Sequence, residues 1–366
     1  MPSQAPQNGS LTAQERDFSE IGSDFELVDG RYLIPANSQP LPWEDSADII
    51  YLESGRQALA IVETELRRQG HTQIHVPSYL CDSMVAPFHR NGWILAELPL
   101  DNDLVVRPEE LLARVTEGVL LHTPYFGRQD SPAMLDALTT IRRRGVVVVV
   151  DETHRVFSGP SPVADIRVAS VRKVLPLYDG GYVAGLSARL RPDLQTVTSG
   201  AAAIRQMAMH AKSDALTSGD GSKTHLELFA KAAHATEIGT EPVRMSRDSH
   251  SLLRRLDMEM IRGTREKNSI SLTQALGRSH RFRIINPPAE DLLPSHLVLE
   301  TDDVPGLKRC LTEQQIYCPI HWPPSEVLTQ TGKWPDRYIS LPIDHRYGEP
   351  DMMRMAACIK TFFSQS

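Results

Sequence analysis

The chain is poor in the features that mark several function classes. Only four of its 366 residues are cysteine: Cys81, Cys310, Cys318 and Cys358. No two form a Cys-x-x-Cys pair, which removes a zinc ribbon and a redox dithiol from consideration and leaves reduced, mostly buried thiols. No metal site is expected. There is no excess of positive charge. The 39 Lys and Arg are outnumbered by 46 Asp and Glu, for a net charge of −7, so neither nucleic acid nor an anionic membrane is expected as a partner. No stretch is long and apolar enough to span a bilayer. The opening residues MPSQAPQNGSLTAQERDFSE lack the basic-then-apolar order of a signal peptide, and a cytoplasmic protein is the expectation. No internal repeat is visible.

What remains is an ordinary soluble composition, 41% hydrophobic and 23% charged, long enough for one large and one smaller domain. Residues 1–17 are polar and rich in Gln, Ser and Pro, and read as a mobile tail. Residues 18–245 are expected to form a large domain with an N-terminal arm, and 246–366 a small C-terminal domain. From Ile49 onward, strand-like and helix-like segments alternate. Strands are expected at Gln73–Val76, Trp93–Leu98, Gly118–Leu121 and Val146–Val150. Helices are expected after Ser54, near Asp82, at Glu109–Arg114 and at Ala133–Arg144. Strand alternating with helix implies a mainly parallel sheet covered on both faces. Beyond it, helical spacing is expected over 201–209, 226–235 and, as one long element, 249–275. The C-terminal part alternates again and ends in a helix over 349–363.

The densest chemistry lies between Val146 and Val183. An unbroken valine run ends on Asp151, at a strand end where ligands of open α/β sheets bind. A carboxylate there suits a protonated ring nitrogen, and suits equally well the capping of the next turn. His154 follows, then Ser170, Lys173 and the pair Gly180–Gly181. Lys173, with Arg172 beside it, is a candidate amine for an aldehyde cofactor, although a lone lysine in a basic turn is more often a surface residue. Ser54, Gly55 and Arg56 open a helix, where backbone N–H groups cradle a phosphate or a serine simply caps. His122, Tyr125, Tyr178, Asp179, His321 and Trp322 are further candidates to line the crevice, each equally readable as packing. An acid, an amine and a phosphate cradle together match what pyridoxal 5'-phosphate (PLP) requires.

Taken in order, these segments resemble the PLP-dependent aminotransferases of fold type I, specifically the DegT/StrS-type family that includes many sugar aminotransferases. The resemblance runs from about Tyr51 to the C-terminus. It rests on Ser54-Gly-Arg-Gln-Ala-Leu59, Pro77-Ser-Tyr-Leu-Cys-Asp-Ser83, His122-Thr-Pro-Tyr-Phe-Gly127, the pair Asp151 and His154, Lys173 followed by Gly180-Gly181, Ile339-Ser-Leu-Pro-Ile343 and Tyr347-Gly-Glu-Pro-Asp-Met352. It implies a three-layer α/β/α large domain with a smaller α+β C-terminal domain. It implies a Schiff base on Lys173, Asp151 at the pyridine nitrogen, His154 at the ring oxygen, and Ser54, Gly55, Arg56 and Ser170 at the phosphate. It also implies a homodimer with its active site at the interface, an amino-acid donor and a keto acceptor. Cys81 stands where the family stacks an aromatic ring on the cofactor, with Tyr79 two residues away. The serine-to-lysine spacing is shorter than the family's, and its Asn-and-Arg segment after the glycine pair is not found. Elimination, decarboxylation, racemisation or cyclisation of an amino acid on the same cofactor is the alternative reaction, and a non-catalytic derivative of the fold the weakest reading. Arg128, Arg172, Arg337 and Arg346 are candidates for a substrate anion.

Overall fold

The computed structural model describes residues 20–45, 48–186, 194, 200–219, 222–239, 241–289, 293–328 and 334–365. The expected tail over 1–17, most of 187–199 and residues 220–221 lie outside the described residues. In chain order the elements begin with β1 (Ile21–Gly22), β2 (Ile49–Leu52), α1 (Gly55–Arg68), β3 (Gln73–Pro77), α2 (Asp82–Arg90), β4 (Ile94–Leu98), α3 (Pro108–Arg114), β5 (Val119–His122), α4 (Pro132–Arg143), β6 (Val147–Asp151), β7 (Ile166–Ala169) and β8 (Gly181–Ala184). They continue with α5 (Ala201–Ser218), α6 (Thr224–Ile238), α7 (Arg247–Leu253), α8 (Met258–Leu276), β9 (Phe282–Ile284), β10 (Leu297–Thr301), α9 (Val304–Glu313), β11 (Ile316–Tyr317), β12 (Tyr338–Leu341) and α10 (Glu349–Gln365).

Seven strands form the central sheet in the order β2-β8-β7-β6-β5-β3-β4. All neighbours pair parallel except where β8 runs antiparallel to both β7 and β2. The valine run explains the layering. Val148 and Val150 pack with Leu138 and Ile141 of α4 and Leu111 of α3. Val149 packs on the opposite face, in the cluster that holds Leu59, Val62 and Leu66 of α1 and Val85 and Phe88 of α2. Alternate residues of one strand thus face two apolar layers, so the run is continuous rather than alternating.

The C-terminal elements build a second core. β9, β10 and β12 form a three-stranded antiparallel sheet against which α8, α9 and α10 bury Leu272, Leu307 and Ile359. Ile21 from the N-terminal arm belongs to this same core, because β1 pairs in parallel with β11. The arm then crosses to the large sheet and buries Trp43 against Tyr182.

One expected element differs. The single helix over 249–275 is two helices, α7 and α8, broken at Arg254–Asp257. The N-terminal arm hydrogen-bonds to the break itself: Ile34 N donates to Arg255 O at 2.8 Å, and Asp257 N to Tyr32 O at 2.8 Å. Asp257 then caps α8, accepting from Met260 N at 2.9 Å. Aspartate is a residue type suited to N-capping, and the backbone partners of the break come from a distant segment. Among the described residues no helix is long and apolar enough to cross a membrane.

Candidate active site

The carboxyl ends of β6 and β7 and the start of α1 converge on one place. Asp151 ends β6, is buried, and accepts from Thr153 N at 2.8 Å. The capping reading is therefore correct, and it fixes the carboxylate at the strand end. Burial drives the Asp151 carboxyl above its ordinary value, against the pull of the Thr153 hydrogen bonds and of Lys173. Ser170 follows β7, its N–H bonded to Thr153 Oγ1 at 2.9 Å. Val171–Lys173 is a 3-10 turn in which Lys173 N bonds Ser170 O at 3.1 Å. With three residues per turn, Ser170 and Lys173 fall on one face, so the short spacing brings hydroxyl and amine to the same side.

These residues line a cavity of about 220 Å³ with Ser54, Gly55, Arg56, Thr153 and Arg172. Ser54 caps α1, accepting from Gln57 N at 3.3 Å. A side chain at Gly55 would put its Cβ 2.9 Å from Ser170 Cβ. Gly181 is tighter: its Cβ would lie 2.4 Å from Ser54 C and 2.5 Å from Gly55 N. Gly180, at φ +146°, donates its N–H to Glu53 O at 2.8 Å and accepts from Arg172 N at 3.2 Å. The glycine pair is thus the seam that holds the α1 start against the lysine turn. The residues fit a phosphorylated pyridine. Helix N–H groups and a serine hydroxyl line this space, glycine lets the α1 start approach Ser170 closely, and the buried Nε atoms of Arg56 and Arg172 lie unpartnered beside them. A buried carboxyl held above its ordinary value also suits a cationic partner.

Arg172 and Lys173 also line a second cavity of about 640 Å³, shared with Cys81, His154, His296, His321, Trp322, Arg265 and Arg346. His154 lies parallel to Phe126 (5.2 Å between centroids) and to Trp322 (5.8 Å). Its Nδ1 accepts from Phe126 N at 3.1 Å, so the neutral ring carries its proton on Nε2. Burial, with His321 and Lys173 nearby, holds His154 well below its usual range. Burial, His296 and Lys173 do the same for His321. His296 is pushed down to about 3, mainly by burial. All three are neutral near pH 7.

The expected site residues separate by position. Ser54, Gly55, Arg56, Asp151, Ser170 and Lys173 line the smaller cavity, and Cys81, His154, His321 and Trp322 the larger. Tyr79 lines neither. It is buried among Tyr125, Trp322 and Trp334, and its hydroxyl donates to His321 O. His122 pairs with Asp130 at 2.7 Å, and Asp179 accepts from Ser246 Oγ at 2.6 Å. Tyr125 donates to Tyr79 O, and Tyr178 packs beside the α5–α6 pair. Of the four candidate arginines, Arg128 bonds the carbonyls of Asp103 and Ile285, Arg337 pairs with Asp302, and Arg346 with Asp344 and Glu26. Sequence reading missed His296, Arg265 and Arg205, and the arm residues Gly22–Phe25 of the larger cavity. Each reaches it from a distant segment with no local motif.

No family model matches the chain, and no curated protein does. Solved structures do. A structure of DesV from S. venezuelae with a ketimine intermediate is 17% identical, with a TM-score of 0.63 over 88% of this chain and 85% of that one. The sugar aminotransferase CalS13 from Micromonospora echinospora is 15% identical, TM-score 0.62, over 86% and 87%. The putative sugar aminotransferase Spr1654 from Streptococcus pneumoniae, in its PMP form, is 14% identical, TM-score 0.63, over 92% and 90%. The chain has the fold type I architecture of these proteins, as the structural match over most of each chain shows.

Proposed function

We propose that the chain is a PLP-dependent aminotransferase that moves an amino group from an amino-acid donor to a keto acceptor, a sugar or small biosynthetic intermediate. The observation that carries this is Lys173 at the junction of two cavities. One has a buried carboxylate and a phosphate-suited rim, the other has room for a substrate. When bound, PLP supplies an aldehyde that condenses with amines and a protonated pyridine that draws electron density from the substrate. Asp151 holds the proton at the ring nitrogen. His154, with its Nε2–H free, donates to the ring oxygen. Ser54, Gly55, Arg56 and Ser170 hold the phosphate. Lys173 is the attachment amine and then moves a proton at the substrate Cα as general acid and base. The fold shared with proteins described as sugar aminotransferases supports a keto sugar as acceptor.

On the same reading the protein is a cytoplasmic homodimer, its site completed by the partner. Its four cysteines are all unpaired, in keeping with a reducing compartment. The exposed Met207, Leu216, Leu226 and Ile238 of α5 and α6 suit a subunit contact. Incubation with PLP and borohydride should fix the cofactor's mass on Lys173, and Lys173→Ala should abolish it. Labelling elsewhere, or undiminished labelling of the variant, refutes the assignment. A second reading, another PLP reaction on an amino acid, draws on Cys81, which lines the larger cavity where a ring-stacking aromatic was expected. Donor amino acids distinguish the two: a pyridoxamine form supports transamination, and product without it supports the second.

A further inference from the structure

Arg172 makes no side-chain hydrogen bond and no ion pair among the described residues, and its Nε is buried without a partner. The setting makes that costly. Burial, Arg205 and Arg56 push it down to about 10, against the weaker pull of Asp24 and Asp179. Those two acids are engaged elsewhere: Asp24 with Arg205 at 3.2 Å, Asp179 with the N–H and hydroxyl of Ser246. Arg205 itself stacks on Phe229 at 5.7 Å. A desolvated guanidinium without a counter-charge is unfavourable unless an anion is delivered to it.

The position says which anion. Arg172 lines the smaller cavity with Ser54, Gly55, Arg56 and Ser170. Its backbone N–H is tied to Gly180, so the side chain leaves a fixed point beside the α1 start. Arg56 is half-engaged, one nitrogen on Glu237 O at 3.1 Å and its Nε buried and unpartnered. Two guanidinium groups with spare donors, a helix start and two serines form a site for a doubly charged tetrahedral anion. A substrate carboxylate, with a single charge, would compensate the pair less well and would lie in the same cavity as Asp151.

We propose that Arg172 is a phosphate-binding residue. With Arg56 it grips the phosphate monoester of the cofactor, so that this chain supplies from its own turn the cationic grip on that group. The proposal rests on the PLP reading and assigns to the cofactor's phosphate a residue that the sequence offered as a candidate for a substrate anion.

The test uses full-length protein freed of cofactor, as wild type, Arg172→Met and Arg172→Lys. Each is titrated with PLP and with pyridoxal, which lacks the phosphate, following the visible absorbance of the bound aldehyde. Inorganic phosphate is added separately while the thermal midpoint is read. Arg172→Met should lose about 10- to 100-fold in affinity for PLP, the worth of one or two charged hydrogen bonds, and nothing for pyridoxal. Phosphate should raise the midpoint of wild type and not of Arg172→Met. Without ligand, Arg172→Met should be at least as stable as wild type, since it removes an uncompensated charge. Arg172→Lys should fall between. Equal losses for PLP and pyridoxal would make the role structural and overturn the proposal. So would unchanged PLP affinity with a raised KM for the amino donor. Wild-type protein that attaches neither aldehyde would instead sink the PLP reading itself.

Discussion

Gly181→Ala is the sharpest test of how the site is held together. The added methyl would sit 2.4 Å from Ser54 C, 2.5 Å from Gly55 N and 2.7 Å from Ser54 O. Ordinary contact begins about 1 Å further out. All three neighbours are backbone atoms, so no rotamer change relieves the clash. Gly181 does not occupy the left-handed region, so the cost is contact and not torsion. Relief requires β2 and the α1 start to move away from β8, in a register where Leu52 faces Gly181. That stretches the Gly180–Glu53 hydrogen bond of 2.8 Å. Overpacking costs about 1–3 kcal/mol when side chains can adjust; with backbone on all sides we expect the upper end, about 2–4 kcal/mol. Urea unfolding at constant slope measures it. Gly263→Ala is the control. It lies inside α8 with nothing within 4 Å of the added methyl, and should gain about 0.5–1 kcal/mol from helix propensity. Binding of PLP should fall in Gly181→Ala and stay unchanged in Gly263→Ala. A Gly181→Ala protein within 0.5 kcal/mol of wild type and binding PLP normally would refute this account of the seam.

Three further outcomes follow from other contacts. Arg265→Met should destabilise by about 1–3 kcal/mol in urea, because it strands the buried carbonyls of Val174 and Ser295, which Arg265 holds at 2.7 and 3.2 Å; Arg265→Lys should lose less. Asp151→Asn should change the pH dependence of the cofactor-free protein. Burial raises the Asp151 carboxyl, so the native state holds the proton more tightly than the unfolded chain. Its contribution is full below about pH 4 and is lost as pH rises through the native value. The variant should therefore be more stable than wild type near pH 8 and converge with it in acid; a constant gap across pH would count against this. Lys212→Met should release the N-terminal arm, since Lys212 is buried against Glu20 (2.6 Å) and Glu26 (3.3 Å) and bonds Ser23 Oγ at 2.8 Å. We expect a loss of about 1–3 kcal/mol, below the cost for fully buried pairs because both glutamates keep partial exposure, and faster proteolysis within 20–31.

Much of the architecture was legible in the chain because its signals are local. The valine run, the helical spacing after Ser54 and the cap residues act within a turn or a strand. They predicted β3, β5, β6 and α4 to within two residues, and the starts of α1 and α2. The break between α7 and α8 was not legible, because the arm that satisfies its backbone is distant in sequence. The pairing of β1 with β11 carried no signal, since two residues have no periodicity to read. Tyr79 shows the converse. Its neighbourhood in the sequence suggested a cofactor contact, while its ring has its neighbours in the C-terminal segment.

The sequence by itself determined that a strand-end acid, a turn lysine and a helix start with serine and glycine exist, and in what order. Hydrophobic periodicity and capping chemistry are properties of neighbouring residues, and a linear reading captures them. Which side chains lack a partner was decided only by the tertiary structure. Arg128, Arg172, Arg337 and Arg346 are alike on paper; in the fold three are satisfied and Arg172 is not. Likewise only the fold shows the Gly180–Gly181 pair to be a packing seam. Charge compensation and close approach depend on which distant segments meet, and that is a property of the folded chain.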